Sequence, residues 1–153
     1  MHTDFITIKG NVLLEFCNVI TGKVRRYKID NLAVTVGKNA IAARLAGSTA
    51  TNKGSITYCA VGIGTTAAAA SDTILASELY RKLISVRSSE NKTAILKTFF
   101  NTTEANGTLQ ELGLFGDDAT GTANTGTLYA RTLTTRTKSQ AETLTITWQF
   151  TLQ

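Results

Sequence analysis

The C-terminal segment sets Leu144, Ile146, Trp148, Phe150 and Leu152 in strict alternation with Thr145, Thr147, Gln149 and Thr151. In a pleated strand this places every apolar side chain on one face, whereas a helix would scatter the five around its circumference. A strand is therefore predicted over Thr143–Leu152, held inside a sheet. The same criterion predicts a hairpin of Val12–Ile20 and Lys23–Ile29 about a turn at Thr21-Gly22, ended by Asp30-Asn31. It predicts further strands at Ser55–Gly62, Leu79–Arg87, Thr93–Asn101, Leu109–Phe115 and Thr127–Leu133. Loops are expected at Ile63–Ala76, Ser88–Lys92, Thr102–Thr108, Gly116–Gly126 and Thr134–Glu142, where Gly, Thr, Ala and Asn dominate. In Ala40–Gly47, Ile41, Ala42 and Leu45 recur at helical spacing until Gly47 stops them, so one short helix is expected against the sheet. About eight strands and one helix predict an all-β fold, a two-sheet β-sandwich.

Composition agrees with that pattern. The chain has 153 residues, 42% of them hydrophobic, enough for one domain over 1–153 that buries about two-thirds of its unfolded surface. Threonine occurs 27 times and proline not at all, so β-branched side chains favour strands and no missing N–H donor interrupts them. Met1–Phe5 is polar, and neither a signal-like apolar stretch nor an apolar run near membrane-spanning length follows. A soluble chain made in a cytosol, with no membrane partner, is expected. Cys17 and Cys59 lie in apolar strand-like runs and are expected as free buried thiols.

The net charge of +5 is unevenly distributed. Lys9, Lys23, Arg25, Arg26, Lys28, Lys38, Arg44 and Lys53 face only Asp4, Glu15 and Asp30 through residue 60, and the remainder is balanced. An electrostatic partner should therefore meet the N-terminal part, with Arg25, Arg26 and Lys28 as its candidate contacts. Alternation sends Arg25 and Tyr27 to one face of the strand and Arg26 and Lys28 to the other. No nucleic-acid motif accompanies these charges, so a solvated or protein-facing strand is favoured over DNA or RNA binding.

The inventory speaks against catalysis. The single histidine, His2, lies at the chain start, so neither a Ser/His/Asp nor a Cys/His arrangement has a base, and a His-ligated metal site fails likewise. Gly62-Ile63-Gly64 begins like a phosphate loop but lacks the third glycine and the Gly-Lys-Ser/Thr ending, so a turn out of a strand is expected. Asp117-Asp118 offers oxygens to Ca²⁺, although two adjacent acids in a Gly/Thr loop are more often simply solvated. The acids are dispersed and the one tryptophan lies on an apolar strand face, which disfavours a glycosidase cleft. The sequons at Asn91, Asn101 and Asn106 are what chance provides in a Thr-rich chain. No enzyme activity, catalytic residue, metal or cofactor is expected.

Taken in order, Lys38–Ala46 (KNAIAARLA), Ile56–Gly62 (ITYCAVG), Thr73–Arg81 (TILASELYR), Glu111–Phe115 (ELGLF) and Leu128–Ala130 (LYA) resemble the N-terminal, virion-attaching module of tailed-phage tail-collar fibre proteins and related small phage structural proteins. The likeness spans roughly residues 31–152. It implies a non-enzymatic structural component of a tailed-phage particle, in the tail, collar or fibre-attachment apparatus, assembled in the bacterial host cytoplasm with other virion proteins. It also implies a homo-oligomer, a trimer in the first instance. That family's fibres continue into a shaft and receptor-binding tip where this sequence stops, so receptor binding is not carried over. A capsid decoration protein is the alternative reading and a carbohydrate-binding module the third. Glu78 and Arg81, three apart at a strand start, and Glu111 before LGLF are expected either in buried or interfacial ion pairs or as plain surface charges.

Overall fold

The computed structural model describes residues 6–48 and 55–153. Strands β1 (Ile8–Asn18), β2 (Val24–Asp30) and β3 (Leu32–Ala33) precede helix α1 (Thr35–Leu45). There follow β4 (Ile56–Gly62), β5 (Glu78–Leu83), β6 (Val86–Glu90), β7 (Thr93–Phe100), β8 (Gly107–Gly116), β9 (Thr127–Lys138) and β10 (Glu142–Leu152). They form two five-stranded sheets, ordered β2-β1-β10-β7-β6 and β3-β9-β8-β4-β5, with every pairing antiparallel. The two-sheet all-β sandwich read from the sequence is thus the observed fold. Among the described residues no helix is long and apolar enough to cross a membrane.

The alternation of β10 does what its sequence requires. Leu144, Ile146 and Trp148 meet Val12, Leu14 and Phe16 of β1 and Leu96 and Phe100 of β7 on the inner face of the first sheet. Cys59, Val61, Leu112, Leu114 and Ala130 of the second sheet close the core against them. Trp148 donates its indole N–H to Cys59 Sγ at 3.3 Å, tying the two sheets through the centre. Both cysteines are free thiols as expected, but only Cys59 is buried, its thiol pushed up to about 12 by that burial, whereas Cys17 is half-buried.

Four expectations are corrected. Leu79–Arg87 is two strands, because the chain changes sheet between Ile84, whose N–H donates to Thr57 O, and Ser85, whose N–H donates to Lys97 O. The expected loop Ser88–Lys92 is strand to Glu90 and then a turn at Asn91-Lys92, with Asn91 in the left-handed region. The loop Thr134–Glu142 shrinks to the connection after Lys138, since β9 continues that far. The helix starts five residues earlier than Ala40 and buries Gly37 and Ala40, whereas Leu45 is 83% exposed. A Cβ on Gly37 would stand 2.5 Å from Tyr129 Cα, so this glycine lets the helix lie directly on β9.

The outer faces of the two sheets differ. That of the first mixes Thr145, Thr147, Gln149, Glu15 and Lys97 with Leu13, Ile95 and Phe99, the last of them exposed. That of the second carries Ala60, Phe115 and Leu128, fully buried in one cluster with Val34 and with Leu75 of the segment joining β4 to β5.

Candidate functional site

The outer face of the second sheet concentrates the buried charge of the molecule. A register shift in β8 lies between Leu109 and Glu111. Leu109 and Leu112 both face the core, so the shift turns Glu111 to the opposite face. There its carboxylate, with no exposure, accepts backbone N–H bonds from Gly64 (3.0 Å), Ala76 (2.9 Å) and Ser77 (2.6 Å). It also accepts from Arg131 Nη2 at 2.8 Å and Nε at 3.1 Å. Arg131 donates onward to Asp72 Oδ2 (2.7 Å), Thr66 O (2.8 Å) and Ala67 O (3.3 Å). Burial tends to raise the Asp72 carboxyl, but the Ala69 N–H and the Arg131 guanidinium hold it below the usual carboxylate range.

This geometry explains Gly62-Ile63-Gly64. A Cβ on Gly62 would stand 2.6 Å from Glu111 Oε1, and one on Gly64 would collide with the same oxygen. The backbone of a phosphate-loop-like turn does receive an anion, and that anion is the chain's own Glu111.

Glu78 and Arg81 form a second buried pair, with side chains 2% and 3% exposed and Arg81 Nη2 donating to Glu78 Oε2 at 2.8 Å. Arg81 lies 4.4 Å from the Phe115 ring centroid and donates to Thr120 O (3.0 Å) and Thr125 O (3.1 Å). Glu78 accepts the N–H of Asn124, whose side-chain oxygen accepts the N–H of Leu75. The two long loops are thereby clasped to each other and to the sheet. Asp117, at the root of the second loop, accepts from Arg44 Nη2 at 2.7 Å and from the Tyr129 hydroxyl at 3.1 Å, and burial pushes that hydroxyl up to about 12. Among the described residues no three His, Cys, Asp or Glu side chains stand together as a metal site.

Of the expected contact residues, Glu78, Arg81 and Glu111 come together on this face, as buried ion pairs whose basic partners are the chain's own arginines. The residues that the sequence reading missed are Arg131, Asp72 and Asn124. Arg131 was detectable as a lone charge inside the otherwise apolar run Leu128–Ala130 and beyond, whereas nothing local marks the other two.

Arg25, Arg26 and Lys28 lie elsewhere, on β2 at the edge of the first sheet. Arg25 faces inward, stacks 4.6 Å from the Phe16 centroid, and donates to Glu142 Oε1 (2.8 Å) and Thr137 O (3.1 Å). Burial would raise Glu142, but the Ser139 N–H and Arg25 hold its carboxyl below the ordinary range. Arg26 and Lys28 are exposed on the outer face, where Arg26 meets Glu15 at 2.6 Å. His2 lies outside the described residues. At one end of the sandwich an apolar groove of about 350 Å³ opens between the sheets, lined by Ile8, Ile41, Ile56, Tyr129, Phe150 and Leu152 among others. Comparison with protein-family models, curated proteins and solved structures finds no match to this chain.

Proposed function

We infer that the chain is a non-enzymatic structural component of a tailed-phage particle, in its tail, collar or fibre-attachment apparatus, present there in repeated copies beside other virion proteins. The observation that carries the non-enzymatic part is the use made of the buried charges. Glu111, Arg131, Glu78 and Arg81 are each neutralised by another charge and saturated by backbone groups, so the strongest chemistry in the molecule rigidifies two loops over a sheet. The Cys59 thiol, at about 12, is no nucleophile at neutral pH. A closed sandwich with loops clamped flat suits a part that must hold its shape under load. The position within a particle comes from the ordered motifs Lys38–Ala46, Ile56–Gly62, Thr73–Arg81, Glu111–Phe115 and Leu128–Ala130 and their resemblance to the attachment modules of tail-collar fibres.

Immunogold imaging of intact particles of the encoding phage, with antibody against this chain, is the test. Label on the tail, collar or fibre base is expected. Label over the capsid shell transfers the chain to capsid decoration, and particles without label overturn the assignment. Specific binding on a glycan array would instead identify a carbohydrate-binding module.

A further inference from the structure

We propose that Lys138 and Asn106 join in an intramolecular isopeptide bond, with Nζ of the lysine taking the place of the asparagine's side-chain nitrogen. The bond is a modification the folded chain makes on itself, and it does not depend on the particle assignment.

Lys138 ends β9 opposite Gly107, the first residue of β8, so the antiparallel register sets it beside the loop that carries Asn106. Its side chain is among the largest fully buried ones in the molecule, with the residue only 1% exposed. A buried ammonium is costly unless a counter-charge meets it. Here the two carboxylates whose charge reaches Lys138, Glu142 and Glu104, are ion-paired with Arg25 and Lys82 instead. Its hydrogen-bond partner among the described residues is a neutral one, Asn106 Oδ1 at 2.8 Å.

The carboxamide is held from both sides. Its Oδ1 accepts from Lys138, and its Nδ2 donates to Thr102 O at 2.8 Å. Ala105, just before it, is buried in the core and takes a left-handed φ of 53, while Gly107, just after it, has φ 115. Backbone conformations that most residues resist thus present the side chain to Lys138. With a C=O bond of about 1.23 Å, Nζ lies no more than about 4 Å from Asn106 Cγ. An amine attacks an oriented carbonyl carbon from about 3–3.5 Å, so a small approach suffices. Burial lowers Lys138 below the ordinary lysine value against the opposing charges of Glu142 and Glu104, which populates the neutral amine that attacks.

The step balances without a co-reactant. Nζ gives up one proton on becoming the amine and adds to Cγ, forming the new C–N bond. It then passes a second proton to Nδ2, the Cγ–Nδ2 bond breaks, and Nδ2 leaves as ammonia, released as ammonium with the first proton. One amide replaces another with no change of oxidation state. The product removes an unpaired charge from the interior and closes residues 106–138, which include all of β8 and β9, into a covalent ring.

The test is mass spectrometry of the full chain, aged in neutral buffer, beside Lys138→Met and Asn106→Ala. Loss of ammonia, about 17 Da, is expected in the wild type and in neither variant. A tryptic digest of the wild type should hold residues 98–131 and 137–153 as one branched peptide, which reads the bond even where a variant fails to fold. Closure of Asn106 on the N–H of Gly107 loses the same mass, yet it leaves the two peptides separate and survives Lys138→Met. That result overturns the proposal. So does a wild-type chain at its full mass, or one about 1 Da heavier through hydrolysis of Asn106 to aspartate.

Discussion

Trp148 shows how much one side chain carries in this sandwich. It is fully buried between the sheets and gives its indole N–H to Cys59 across the core. Trp148→Ala should therefore cost about 3–5 kcal/mol, while Thr147→Ala, on the outward face of the same strand, should cost under about 1 kcal/mol. Urea titration of both variants checks the pair, and equal losses would contradict the face assignment. Glu111 is the polar counterpart. Removing its carboxylate leaves Arg131 buried without that partner and frees three backbone N–H groups, so Glu111→Ala should lose about 3–5 kcal/mol. Glu111→Gln keeps a side-chain oxygen acceptor but places N–H donors against other donors, so it should recover only part of that loss. Chemical denaturation of the two variants measures the split.

At the scale of elements, α1 and β2 make opposite demands. The helix is held on β9 by closeness, with Gly37 against the Tyr129 backbone. Gly37→Ala should thus destabilise by about 1–3 kcal/mol despite alanine's better helix propensity, which a thermal melt will show. Strand β2 divides its charges by face. Arg25→Gln breaks the bonds to Glu142 and Thr137 and should cost about 1–2 kcal/mol, while Arg26→Gln with Lys28→Gln should stay within about 0.5 kcal/mol. If β2 is an attachment surface, the Arg26/Lys28 double variant folds normally but associates more slowly with its particle partner and loses salt sensitivity. Incorporation at the wild-type rate with unchanged salt dependence would leave those two residues as protection of a sheet edge alone.

For the whole molecule, the depressed carboxyls of Asp72, Glu104 and Glu142 act together on stability. Burial raises each, and the backbone donors and cations Arg131, Lys82 and Arg25 respectively outweigh it. A carboxyl depressed in the folded state binds its proton more readily when unfolded. The stability it contributes is therefore full above the unfolded value, near pH 4, and is lost as pH falls through the folded value. Urea midpoints should be flat from about pH 7 to pH 5 and decline below about pH 4.

The period-two pattern of Leu144–Leu152 and the turn at Thr21-Gly22 were legible because both are local. Alternation decides which face of a strand is apolar, and Gly22, at φ 71, supplies a left-handed turn that most residues resist. The break at Ile84-Ser85 was written in the sequence too, as a change of apolar phase between Leu79/Leu83 and Ile84/Val86, though strand propensity alone runs straight through it. What surrounds a charge was not legible. Glu111 follows Gln110 in a strand and reads equally as an ion-pair member or a surface charge, and only pairing between β8 and β9 brings Arg131 beside it. The same holds for Gly62 and Gly64, whose missing side chains make room for a carboxylate from β8, four strands on in sequence order but adjacent to β4 in the sheet. Strand character follows from neighbours along the chain, so the alternation of apolar residues sufficed for the sandwich. Burial of polar groups depends on contacts between distant segments, so apart from the local pair Glu78 and Arg81 the partners of the buried charges were decided by the tertiary structure.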